Sequence, residues 1–231
     1  MPTIVFASPK GGAGKSTSAV VLASELARTG ADVVVIDADP NRPVSKWGRL
    51  QGKPANLAVI SDVTEATIID DIETWSTKVP LVVVDLEGTA SMTVAYAISR
   101  ADLVIIPVQG SQLDAAEAAK AIKLIRQQER AFARRIPYAV LFTRTSAVIR
   151  PRLLGHIRQE LRAADVPIFS VQMHEREAFR AIFSFGGTID TLQPSQVSNL
   201  PAAATNARAF AAEVVAMLRE TAPVEKKGRA A

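Results

Sequence analysis

The sequence predicts an α/β fold: a single-domain, doubly wound, mostly parallel sheet of about seven strands with helices on both faces. Three observations carry this expectation. Short β-branched runs alternate with Ala/Leu-rich stretches along the chain, the pattern of strand–helix–strand units. Most of the runs are apolar at every position rather than at every second one, as befits strands covered on both faces. The spacing is even and no linker interrupts it, so the 231 residues read as one domain over 1–220. Residues 221–231 lack apolar periodicity and read as a flexible basic tail.

In chain order, the first strand is expected at 3–7 and the first helix at 16–29, with Gly30 placed where a left-handed cap belongs. Strands follow at 32–37, 57–60, 81–86, 103–108, 138–143 and 167–170. Helices are expected between and after them near 64–75, 90–99, 112–130, 148–164 and 200–220. In the last of these, Phe210, Val214, Met217 and Leu218 recur at i, i+4, i+7 and i+8, a stripe that faces a core.

Composition removes several function classes. Hydrophobic residues make up 48% and charged ones 22%, which excludes wholesale disorder. With no cysteine there is no disulfide framework, no cysteine-ligated zinc or iron–sulfur cluster, and no thiol nucleophile. The beginning MPTIVFASPKGG lacks the basic and apolar regions of a signal peptide. No apolar run approaches the ~20 residues of a membrane helix, so a cytoplasmic protein without a membrane partner is expected. Charge is uneven: residues 1–115 carry 9 Lys/Arg and 13 Asp/Glu, net −4, while residues 116–231 carry 18 and 10, net +8. The C-terminal half is therefore suited to face a polyanion.

The most informative segment follows the first strand: Ser8-Pro9-Lys10-Gly11-Gly12-Ala13-Gly14-Lys15-Ser16-Thr17. Three glycines within four residues let backbone N–H groups point inward, and the helix beginning near Ser16 adds its positive dipole end. Lys15 would reach the β- and γ-phosphates of a nucleotide and the Ser16 hydroxyl would ligate Mg²⁺. The ordinary phosphate-loop pattern needs glycine where this chain has Pro9. With Lys10 ahead of Gly11, Gly12, Gly14, Lys15, Ser16 and Thr17, the segment instead resembles the deviant Walker A motif of the ParA/MinD ATPases. That resemblance implies an ATP-binding P-loop protein in which residues 10–17 hold ATP. It also implies that Lys10 reaches the partner's nucleotide in an ATP-bound homodimer, a cation supplied in trans.

Two carboxylate positions follow. Asp37 and Asp39 close the second strand two residues apart, at the strand end where such sheets bind ligands. The segment is similar to the family's D-x-D-P-Q motif with Asn41 in place of glutamine. By that resemblance Asp39 orients the attacking water and Asp37 supports the Mg²⁺ site. Leu81-Val82-Val83-Val84 followed by Asp85 is a Walker B pattern, which holds Mg²⁺. The Gly88 amide after it is positioned to sense the γ-phosphate, and Glu87 reads as a solvated turn residue.

In the later half, Thr143 and Arg144 resemble the family segment near the adenine ring, with the loop 170–175 beside it. Residues 171–179, with Asp39, Asn41, Arg42, Pro43 and Trp47, resemble a ParA subgroup that includes the partition-like virulence protein of tumour-inducing plasmids. His174 has no triad partner nearby and one histidine makes no metal site, so a structural role is expected. The resemblance implies weak ATP hydrolysis stimulated by a ParB-like or other adaptor. It further implies ATP-dependent, sequence-nonspecific DNA binding on the nucleoid, used to position a plasmid, chromosome or protein cluster. The basic residues expected to meet DNA are Arg150, Arg152, Arg158, Arg162, Arg208 and Arg219. The alternative is a MinD-like ATP-dependent scaffold at a membrane or secretion apparatus. The 222–231 stretch has Val224 as its one large apolar residue, which argues against an amphipathic membrane anchor.

Overall fold

A computed structural model describes residues 1–88, 91–148 and 152–221. β1 (Thr3–Phe6) lies in the middle of the sheet, flanked by β4 (Leu81–Leu86) and β5 (Leu103–Val108). Outward on one side run β2 (Val33–Ala38) and β3 (Leu57–Ile60); on the other run β6 (Tyr138–Thr145) and β7 (Met173–His174). The order is β3-β2-β4-β1-β5-β6-β7 and every pair is parallel. The connections leaving β1 and β4 run to opposite sides, so a crevice opens at their C-terminal ends, where ligands of such sheets bind.

Strand side chains alternate between two cores. Ile4, Phe6, Val33, Val35 and Val83 face one, with α1 (Lys15–Arg28), α2 (Pro43–Gly48), α7 (Glu177–Phe185) and α8 (Leu200–Thr221) packed over them. Val5, Val34, Ile36, Val82 and Val84 face the other, covered by α3 (Ile68–Lys78), α4 (Met92–Ser99), α5 (Gln112–Phe132) and α6 (Arg152–Ala163). Burial on both faces explains why the strand sequences are continuously apolar.

Four elements depart from the sequence expectation. The strand placed at 167–170 is reduced to a single bridge between Ile168 and Val140, and the seventh strand is Met173–His174. Pro167 has no N–H, and the amides of Ser170 and Val171 donate to the Glu213 carboxylate of α8 at 2.6 and 2.8 Å, which draws the chain off the ladder. The helix expected at 64–75 begins at Ile68 because Thr64 and Thr67 close a turn on each other. Finally, α2 and α7 were not anticipated. Pro43 opens α2, whose Trp47 is buried and donates its indole N–H to the Gly187 carbonyl at 2.9 Å. α7 buries Ala178, Phe179, Ala181 and Ile182 and stops at Gly186, which has φ 80°. The tail expectation for 222–231 lies outside the described residues.

Candidate functional site

From the end of β1 the chain turns through residues 7–14 into α1. Gly12 and Gly14 hold φ values of 78° and 95°, a region that disfavours side chains. Gly14 is the N-cap and offers no side chain, and no acidic residue sits in the first turn, so the leading amides of α1 are left to an anion. Neighbouring strands tie back the carbonyls. The Gln109 side-chain amide donates to Gly12 O at 2.6 Å, and the Thr143 hydroxyl donates to Ala13 O at 2.7 Å. Gly11 and Gly12 are exposed, Ala13 is buried, and Lys10, Ser16 and Thr17 are half-buried.

Lys15 is 6% exposed, and burial pushes its ammonium below the usual lysine range against the pull of Asp85, Asp39 and Glu87. Asp85 stands on β4 with Phe6 of β1 and Asp37 of β2 as its register neighbours. It is fully buried, and neither carboxylate oxygen has a hydrogen-bond partner. Burial pushes its carboxyl up to about 7, eased by the nearby Ser16 hydroxyl and Lys15 and reinforced by Asp37 and Asp39. Asp37 is also buried. Its Oδ2 accepts from the Ser45 amide at 2.7 Å and hydroxyl at 2.6 Å, while its Oδ1 has no partner. Its carboxyl is raised, chiefly by burial, with the Ser45 bonds opposing. Asp39 is half-buried and its Oδ1 accepts from the Asn41 amide at 2.8 Å, closing a local turn.

Three unpartnered carboxylate oxygens, two on Asp85 and one on Asp37, lie near one buried lysine, a donor set whose chemistry suits a cation. Among the described residues no three His, Cys, Asp or Glu side chains gather to complete a metal shell. Mg²⁺ needs no such cage. It keeps waters and takes one or two carboxylates together with substrate phosphates, so Asp85, Ser16 and Asp37 fit it alongside a bound triphosphate.

A cavity beside Gly14, Thr17 and Ser18 is lined further by Thr143, Arg144, Met173, His174 and Phe179. Arg144 is exposed with φ 51°, whereas the Thr143 hydroxyl is a strut for the phosphate loop. His174 Nδ1 meets the Thr145 hydroxyl at 2.9 Å, and its amide donates to Asn206 of α8 at 2.9 Å. Burial, then the charge of Arg176, holds the imidazole below its usual pKa.

The basic residues do not form one surface. Arg152, Arg158 and Arg162 ride on α6, over one face of the sheet; Arg208 and Arg219 ride on α8, over the other. Arg158 stacks 5.6 Å over the Phe142 ring, and Arg208 pairs with Asp190 at 2.8 Å. Arg150 lies outside the described residues. Sequence reasoning missed Gln109 and Ser45, whose partners are brought together by the fold alone, and it singled out Trp47 by resemblance without its bond to Gly187. It also missed how tightly Gly88 seats: a Cβ there would meet Gly11 N at 2.9 Å and the Lys10 carbonyl carbon at 3.1 Å.

Residues 1–222 match a family model described as VirC1 protein. The chain is 43% identical over 220 residues to Protein ParA of Rhizobium radiobacter, covering 95% of this chain and 99% of that protein. Among solved structures, a McdA variant of Cyanothece in complex with ATP aligns at a TM-score of 0.73, with 16% identity over 93% of this chain and 96% of the other. The septum site-determining protein MinD of Pyrococcus horikoshii, complexed with Mg-ADP, aligns at 0.72, with 15% identity over 96% and 99%. At such identities the two structures share the fold.

Proposed function

This chain belongs to the VirC1 protein family, within the ParA/MinD ATPases, and from that premise we propose that it is an ATP-driven partition switch. The observation that supports this most directly is the pairing of an open phosphate loop with the unpartnered Asp85 carboxylate. The amides of residues 11–17 and the Lys15 ammonium hold the triphosphate, and Asp85, Ser16 and Asp37 hold Mg²⁺. When bound, Mg²⁺ would supply charge neutralisation for the triphosphate. Asp39, at the mouth of the crevice, orients the attacking water. Lys10, whose backbone abuts Gly88, is the cation delivered to the partner's nucleotide.

Dimerisation through this edge is supported by exposed apolar side chains around it. Met92, Leu113, Val148 and Leu153 sit on the segments leaving β4, β5 and β6, which are parallel and so share one sheet edge. A second copy closing over ATP would cover them. The closed dimer binds DNA without sequence preference, on the nucleoid in the cytoplasm, and a ParB-like or other adaptor on the cargo stimulates hydrolysis and release. Among the described residues no helix is long and apolar enough to cross a membrane.

Lys15→Ala tests this reading. ATP binding and ATP-dependent sedimentation with DNA should be lost together. DNA binding that persists unchanged in the absence of nucleotide would sink the switch.

A further inference from the structure

Resting on the reading of the protein as a DNA-associated switch, we infer that the DNA backbone docks on the outer ridge of α5 and the depression at its C-terminal end, rather than on α6 and α8. At 3.6 residues per turn, Lys123, Arg126 and Arg130 fall within an arc of about 60°, and Lys120 and Gln127 widen it to about 120°. All five are exposed. The opposite side of the helix, through Ala118, Ala121, Ile122 and Ile125, is buried. Both acidic residues of this stretch lie outside the cationic arc. Glu117 pairs with Lys120 at 2.7 Å, and Glu129 turns to accept the Ile136 amide at 2.9 Å.

Among the described residues no ion pair joins Lys123, Arg126, Arg130 or Arg135 to a carboxylate. From Lys123 to Arg130 the ridge therefore presents uncompensated positive charge over about 10 Å of helix, the length of roughly three phosphates of one strand. It ends in a shallow, open depression lined by Arg126, Arg130, Arg134 and Arg135 together with Glu129, whose carboxylate is engaged by the Ile136 amide. One wall of that depression is fixed in advance. Arg134 donates to Ser99 O at 2.9 Å and Ala101 O at 2.6 Å and pairs with Asp102 at 3.2 Å. Phosphate contacts need positioned cations and no base reading, which is what this surface offers. The α6 and α8 arginines are divided between opposite faces of the sheet, so they do not make one continuous surface.

The position of the ridge also explains how ATP could control it. α5 runs back against β5, so its C-terminal end lies at the sheet edge where strands begin; Asp102, held by Arg134, accepts the amide of Thr3 at the start of β1. Lys120, Lys123 and Gln127 line a cavity together with Ser8 and Pro9 beside the nucleotide edge, whereas the Arg126–Arg135 end lies away from it, so a dimer closed through that edge leaves the Arg126–Arg135 end of each ridge free. Each protomer alone makes few phosphate contacts, and pairing doubles them, so nucleotide raises DNA affinity by valence without reshaping the ridge.

The test uses the full chain with ATP and Mg²⁺ and random-sequence duplex DNA, titrated across salt concentrations. The triple substitution Lys123→Gln, Arg126→Gln and Arg130→Gln keeps good helix formers in place. Each lost contact should flatten the log–log salt slope by about 0.9 and lower affinity about eightfold at 0.1 M salt, so the triple variant should fall at least a hundredfold. Its ATP affinity and melting temperature should match the parent protein. Arg152→Gln with Arg162→Gln on α6 should leave the slope nearly unchanged. If the triple variant fails to fold, Arg126→Gln and Arg130→Gln singly should each cost about two units of slope in the dimer, about one from each protomer. An unchanged slope in the α5 variants, with loss in the α6 pair, overturns the inference and leaves the switch standing. Parent protein that ignores DNA even with ATP removes the switch and the ridge together. Capture of poly-glutamate but not DNA through the same residues overturns the choice of nucleic acid.

Discussion

Gly88→Ala isolates the contact between the end of β4 and the phosphate loop. The added Cβ would sit 2.9 Å from Gly11 N, 3.1 Å from Gly11 Cα and 3.1 Å from the Lys10 carbonyl carbon, all backbone atoms that cannot rotate aside. The φ of Gly88 lies outside the left-handed region, so the cost is overlap and not backbone strain. Overpacking of this kind costs about 1–3 kcal/mol, which corresponds to roughly 5- to 150-fold in an equilibrium constant. The loop is exposed and glycine-rich, so the nucleotide-free protein should relax by shifting it and lose only a few degrees of Tm at about 2–4 °C per kcal/mol. Binding a triphosphate requires the loop to return, and the overlap should then appear as weaker affinity. Calorimetric titration with a non-hydrolysable ATP analogue, with melting curves beside it, reads both quantities. Gly11→Ala controls for the nucleotide-free fold, because a Cβ there meets nothing within 4 Å. If Gly88→Ala bound the analogue as tightly as the parent, the coupling of β4 to the Lys10 segment would be refuted.

Three further outcomes follow from the same geometry. Asp85 holds its proton up to about 7 when folded, against an ordinary value of 3.8, so nucleotide-free stability should fall as pH rises from about 4 to about 7 and then level off. At about 1.36 kcal/mol per unit the loss approaches about 4 kcal/mol, and Asp85→Asn should remove this largest contribution to the difference in urea stability between pH 5 and pH 8, leaving the smaller contributions of Asp37 and His174. Trp47→Phe strands the buried Gly187 carbonyl and should cost about 1–3 kcal/mol in urea midpoint stability. Thr143→Val keeps the shape but removes the donor to Ala13 O, and should weaken ATP-analogue affinity about 2- to 10-fold at a cost of about 0.5–1.5 kcal/mol.

The sheet was legible because strands buried on both sides must be apolar throughout, and the runs ending at Phe6, Leu86 and Val108 say so directly. The phosphate loop was legible because three glycines ahead of Lys15 and Ser16 serve few other purposes. What escaped depends on distant partners. α2 has six residues and a left-handed N-cap at Arg42, and Trp47 is held by a carbonyl of Gly187. The edge segment at 167–170 is apolar enough for a strand, but Glu213 competes for its amides. Basic residues were weighed by their density along the chain, which favours 144–162. The α5 ridge emerges only when helical phase and the turning away of Glu129 are known.

The capture of the sheet edge by α8 carries its own consequence. The amide protons of Ser170, Val171 and His174 are guarded by the Glu213 and Asn206 side chains, not by a neighbouring strand, and Asn206 also donates to the Gln172 carbonyl at 2.7 Å. Their trading of hydrogen for deuterium is therefore gated by the lifting of the terminal helix, whereas fraying of the outermost strand leaves them shielded.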